Sequence, residues 1–161
     1  MAKINVGKGL KEYTKRLTQL KDFGREELGA VVFKGAEVVA DAMKAELRAL
    51  PVDNRYAKAG ETLRGIHQLQ KDGLIKGFGI AKMRYDGEFL NVKLGFVGYN
   101  DMRTASYPHG QPNSMIARSV VAGTSFRQRN DFVAKALRRA KDAEKVMQEE
   151  FDKALAALWP D

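Results

Sequence analysis

A chain of 161 residues with 44% hydrophobic and 30% charged side chains has room for one hydrophobic core and is too apolar for wholesale disorder. Its 28 basic against 20 acidic side chains leave a formal charge of +8, which invites nucleic acid or another acidic surface, although the acids are interspersed among the bases. The lack of cysteine excludes disulfides and thiolate chemistry, and two histidines alone offer little for a zinc site.

The opening MAKINVGKGLKEY has no apolar run of the secretory kind. No segment approaches a membrane-spanning length of uninterrupted apolar residues, so a cytoplasm-like compartment is expected. Leu10, Tyr13, Leu17 and Leu20 recur at helical steps and predict a short amphipathic helix over 8–21, with Lys8, Lys11, Lys15 and Arg16 on its wet side. After Gly24 a longer helix is predicted over 25–49. Leu28, Val31, Val32, Gly35, Val38, Val39, Met43 and Leu47 share one broad face. Glu26 and Glu27 in the first turn and Arg48 in the last suit the helix dipole, and Pro51 follows the stop. Gly35 costs about 1 kcal/mol relative to alanine in mid-helix, which points to close packing by another element.

Residues 51–60 read as a loop, and Leu63, Ile66, His67 and Gln70 as a short helix over 62–70. The period then changes. Leu90, Val92, Leu94 and Phe96 alternate, and strands over about 74–83 and 88–97, turning near Asp86-Gly87, give a β-hairpin across 74–97. Gly77 and Gly79 permit strong twist or a bulge. Residues 98–113 are rich in turn formers and read as a loop excursion without an obvious core contribution. Ser114 is placed to cap a short element over 114–122. A last helix is predicted over 130–158, its stripe running through Leu137, Met147 and Phe151. The expected architecture is a single α+β domain over 1–161. A small antiparallel sheet is packed by a long helix from the N-terminal half and a long C-terminal helix.

The pattern carries little catalytic chemistry. His67 reads as a partly buried structural histidine, and His109 sits in a Tyr107-Pro108-His109-Gly110 turn facing a partner or solvent. Neither has a serine or carboxylate nearby with a claim to a triad. Asp22, Asp53, Asp72, Asp86 and Asp101 stand singly at turns, where aspartate bonds its own backbone. The glycines of Lys76-Gly77-Phe78-Gly79 lie in an expected strand and not before Lys-Ser/Thr at a helix mouth, as a phosphate loop requires. No catalytic residue, metal ligand or cofactor site is therefore assigned.

The clearest signal is GTSFRQRNDFVAKAL, residues 123–137. Gly123 ends one element, Thr124 and Ser125 satisfy backbone groups at the turn, and Arg127 and Arg129 are expected to project from the loop. Asn130 or Asp131 caps the last helix, and Phe132 anchors it. The plain reading is a well-made helix entrance; the sharper one adds a subunit contact through the two arginines. With Tyr99, Tyr107, Pro108 and His109 of the excursion, they form the candidate contact set.

This stretch resembles the end of the tailed-bacteriophage family typified by the HK97 gene-10 product. There an Ala-Arg segment precedes a Glu-x-Gly-Thr/Ser-Ser turn, a basic loop and Pro-Phe-x-x-x-Ala. Ala117-Arg118, Gly123-Thr124-Ser125, Phe132 and Ala136 stand in those places. The opening Ile4-Asn5-Val6-Gly7-Lys8-Gly9-Leu10 resembles the family's start. Leu50-Pro51-Val52-Asp53 and Thr62-Leu63-Arg64-Gly65-Ile66 are similar to its Pro-x-Asp and Gly-x-Leu-Arg-x-Ser-Ile passages. Asp131 replaces the usual proline, Val121 and Ala122 stand where a glutamate is common, and residues 54–60 look like extra length. The resemblance implies a structural virion protein with no enzymatic activity, at the head–tail junction or the head-proximal tail end. Such tail-completion or neck proteins form homo-oligomeric rings around the DNA channel. Their neighbours would be portal, head-closure, tail-terminator or tube proteins, with non-specific contact to packaged DNA and no membrane. The alternative is a basic DNA-binding accessory protein using Arg127, Arg129, Arg138 and Arg139 on phosphates. Against it, Asp142, Glu144, Glu149, Glu150 and Asp152 deny the last helix a uniform positive face.

Overall fold

The computed structural model describes residues 24–85 and 90–158. The helix expected over 8–21, the chain opening and the hairpin tip at Asp86-Gly87 lie outside the described residues. The fold is α+β, two long helices with a small antiparallel hairpin, as the pattern predicts.

Helix α1 spans Arg25–Ala49, the predicted range. At its start the Glu27 carboxylate accepts from the Gly24 N–H (3.1 Å), satisfying one of the donors a helix leaves open. Val31, Gly35, Ala40, Met43 and Leu47 are buried along its length. Its main partners are two later helices, α4 (Phe132–Leu137) and α5 (Ala140–Leu158). The close approach expected at Gly35 is present: a Cβ there would lie 2.6 Å from Met147 Cγ and Sδ of α5.

The next segment departs from expectation. Residues 62–67 are not helical: two bridged positions, Leu63 and Ile66, flank a bend at Arg64-Gly65. Leu63 bridges Arg127 in parallel, its N–H donating to Phe126 O (3.0 Å) and its carbonyl accepting from Gln128 (2.8 Å). Ile66 likewise bridges Val52. These partners take the backbone groups a helix would use, so helix α2 starts later, at Gln68, and runs to Gly77. It thereby consumes residues 74–77, which were expected to begin the first strand.

The hairpin is correspondingly short. Strand β1 (Phe78–Ile80) pairs with β4 (Leu94–Phe96), and β2 (Arg84–Tyr85) with β3 (Leu90–Asn91). Ile80 faces Leu94 and Arg84 faces Asn91, so residues 81–83 oppose only residues 92–93. That extra residue is a bulge, seated after Ile80 and not at the glycines. Phe78 tilts against Phe96 at 5.2 Å, and Phe96 meets Phe132 edge-on at 6.2 Å. Phe132 is fully buried and locks α4 onto the hairpin.

Among the described residues the excursion places no side chain in the apolar core, as expected, yet part of it is buried. Asn100, Gly110 and Asn113 are buried. Asn100 N–H donates to Gln111 O (2.9 Å), Asn113 N–H to Gly98 O (3.0 Å), and Thr104 and Tyr107 exchange backbone bonds. Gly110 adopts φ +101°, where any side chain would be strained, and a Cβ would lie 2.0 Å from Asn100 O. Helix α3 spans Asn113–Ala122 with Pro112 at its N-cap, so Ser114 is not the cap. Gly123 closes it at φ +76°.

The last helix is two helices. Arg138 N–H bonds Lys135 O (3.3 Å) and Arg139 N–H bonds Ala136 O (3.0 Å), a tighter turn that separates α4 from α5. The stripe changes phase there. Leu137, expected inside, is 52% exposed, while Met147 and Phe151 are half-buried.

Candidate functional site

The turn after Gly123 is held by reciprocal backbone bonds between Thr124 and Arg127 (2.9 and 3.3 Å) and by Thr62 Oγ1 donating to Ser125 O (3.3 Å). The parallel bridge to Leu63 fixes it from the other side. Arg127 does not project from this turn. Its side chain folds inward and the residue is 8% exposed. Nη1 donates to Ser119 Oγ of α3 (2.5 Å) and Nη2 to Gln70 Oε1 of α2 (2.8 Å). Gln70 Nε2 donates in turn to Gln111 Oε1 of the excursion (2.6 Å). One buried guanidinium thus ties the turn, two helices and the excursion together. Burial alone pushes its pKa below the usual arginine value. The Phe126 ring lies 5.7 Å from the guanidinium carbon and is itself 50% exposed.

Above Arg127 opens a cavity of about 230 Å³. Asp53 and Tyr56 of the 51–60 loop, His67 and Gln70 around the start of α2, Met102, Thr104 and Gln111 of the excursion, and Phe126 line it with Arg127. His67 is a structural group, as read from the sequence: it is the N-cap of α2, Nδ1 accepting from Leu69 N–H (3.2 Å). Asp53 is bound to Arg55 in a two-point contact (2.8 and 3.0 Å), whose hydrogen bonds hold its carboxyl below the usual carboxylate range.

Arg129 lies elsewhere. It is exposed in a separate shallow cleft with Arg64, Gln128 and Lys135, and pairs with Asp131 (2.9 Å). Of the two possible caps, Asp131 is the one used, accepting from Ala134 N–H (3.0 Å). Tyr99 is 67% exposed, Pro108 and His109 are exposed, and Tyr107 is half-buried. The structure therefore brings the two expected contact segments together at one cavity, through Phe126 and Arg127 on one side and Thr104 and Gln111 on the other. It separates Arg129 from that cavity.

Sequence reasoning missed Gln70, Gln111 and Ser119. Gln70 and Ser119 are 57 and 8 residues from Arg127, and Gln111 is 41 from Gln70, so no local spacing marks the network. Among the described residues no group of three or more His, Asp or Glu is placed to hold a metal ion, and no helix is long and apolar enough to cross a membrane. No protein-family model, curated protein or solved structure matches the chain.

Proposed function

We propose that this chain is a structural virion protein of a tailed bacteriophage. It acts at the head–tail junction or the head-proximal tail end, as one subunit of a homo-oligomeric ring around the DNA channel. The observation that carries the reading is the convergence of the 123–131 turn and the 98–113 excursion on one cavity of a braced scaffold. Loops held this way are suited to binding, and a ring subunit must offer its neighbour a defined patch. The turn is also the stretch in which the resemblance to the gene-10 family is densest, at Ala117-Arg118, Gly123-Thr124-Ser125 and Phe132. Portal, head-closure, tail-terminator or tube proteins of the same particle are the neighbours that this place implies.

The DNA-binding alternative draws less support. Arg127 is buried, Arg129 is paired with Asp131, and Arg139 is paired with Asp142. Three of the four arginines that would meet phosphates are thus engaged within the chain. The decisive experiment is image reconstruction of an intact particle with the protein labelled. Ring-shaped density at the neck or upper tail is expected; a particle that lacks the protein, or carries it away from the junction, overturns the reading.

A further inference from the structure

We infer that the cavity floored by Arg127 is a carboxylate-binding site. The inference does not depend on the virion role. It begins with the charges around the cavity. Asp53 and Arg55 close on each other in a two-point pair, and Arg55 also reaches Glu61 (3.3 Å). The Arg127 guanidinium is left with two neutral acceptors, the Ser119 hydroxyl and the Gln70 amide. No acidic side chain of the described residues pairs with it. A buried cation without an anion is costly, and an incoming anion offsets that cost.

The cation is also reachable. Among the described residues Arg127 Nε makes no hydrogen bond. Yet the sealed side-chain atoms lacking a partner, among the described residues, are only Asn100 Nδ2 and Asn113 Oδ1. Nε therefore keeps contact with solvent, and Arg127 lines the cavity. The guanidinium is a planar fork of five donors suited to the two oxygens of a carboxylate. One unpaired positive charge matches one negative charge. A doubly charged phosphate would bring a second negative charge near Asp53. The half-exposed Phe126 ring and Tyr56 provide apolar walls for the carbon stem behind the carboxyl group.

The carboxylate can be borne by an acidic side chain of a neighbouring copy or by a free small acid. Melting curves of the full chain with sodium propionate, against equal sodium chloride and the neutral isostere propionamide, test the site itself. Propionate is expected to raise the melting temperature, and propionamide and chloride are not. Gln70→Glu is the control that keeps the fold. It places a carboxylate where Gln70 Oε1 now meets Nη2 at 2.8 Å. Glutamate also serves at this third helical position, where the Gln70 side chain accepts from His67 N–H, once the Gln111 amide turns to donate. This variant should melt higher than the wild type and lose the response to propionate. Sedimentation of both proteins separates the two sources. Weaker self-association of Gln70→Glu identifies a neighbouring copy, and unchanged association identifies a free acid. A wild type that responds alike to propionate, propionamide and chloride overturns the inference. So does a folded Gln70→Glu whose response to propionate is undiminished.

Discussion

Asp131 does two things with one carboxylate. Oδ1 accepts from Ala134 N–H and caps α4, while Oδ2 meets Arg129 Nη2 at 2.9 Å. The backbone donor first, and Arg129 second, hold its pKa below the usual aspartate value. The folded value is thus the lower of the two states. The stabilisation is present above the unfolded pKa of about 4 and is lost as pH falls through the folded value. Asp131→Ala should therefore melt lower than the wild type at neutral pH, with the gap narrowing on acidification. Asp131→Asn should keep much of the cap without that pH dependence. Melting curves between neutral and strongly acidic pH decide it; a gap that does not change with pH removes the charge from the account. The sequence left Asn130 and Asp131 level as caps. The choice was not legible because Asn130 is drawn away by the fold, its N–H donating to Val120 O (2.8 Å) and its side chain accepting from Lys135 (3.2 Å). The same holds for Arg127 and Arg129. They are two residues apart in one polar loop, and only the distant Gln70 and Ser119 separate the buried one from the exposed one.

Helix α1 could be read from its ends and its stripe because the signals that start and stop it are local: Glu26, Glu27, Arg48 and Pro51. Gly35 announced a close neighbour but not which one. That neighbour is Met147, and the contact makes a test. Gly35→Ala gains helix propensity of about 1 kcal/mol yet puts its Cβ into the Met147 side chain. The single change should be destabilising, and Met147→Ala should relieve it, giving a coupling of about 0.5–3 kcal/mol in a double-mutant cycle. Strict additivity in chemical denaturation would say that α1 and α5 do not meet there. The break between α4 and α5 was invisible because Lys135-Ala136-Leu137-Arg138-Arg139-Ala140 has good helix formers throughout. Packing decides it: α4 turns Phe132 and Ala136 to the core, and the tight turn then re-aims α5 along α1. Phe132→Ala should cost about 3–5 kcal/mol and Leu137→Ala less than about 0.5 kcal/mol. Comparable losses at the two sites would restore the single continuous helix. Phe151 is half-buried, so Phe151→Ala should cost less than Phe132→Ala.

At the scale of the whole molecule, the parts that could be read are those with a period, and the parts that could not are those built from long-range backbone pairing. Residues 62–67 carry a helix-like spacing of apolar groups, but bridges to Val52 and Arg127 hold them out of a helix. They thereby bring the 51–60 loop, α2 and the 123–131 turn to one place. The burial of part of the excursion was hidden for the same reason: its buried asparagines act on backbone groups elsewhere, as when Asn113 Nδ2 donates to Val97 O (2.9 Å). This braced corner governs how assembly can be tested. Arg127→Glu is not a surface change, because it would reverse a buried charge that ties four segments, and its loss of function would report folding. Tyr99 and Arg129 are exposed, the first on the excursion and the second beyond the turn. Tyr99→Glu combined with Arg129→Glu should leave the circular dichroism spectrum essentially unchanged and lower the melting curve only slightly, through the lost pair with Asp131. If the proposed ring uses this surface, the double variant should fail to complement a particle lacking the protein, because a desolvated or repelled charge at an interface costs more than a missing contact. Restoration of tail attachment and infectivity to wild-type levels by the folded variant would take both residues out of the interface. The subunit contact would then have to be sought on another face.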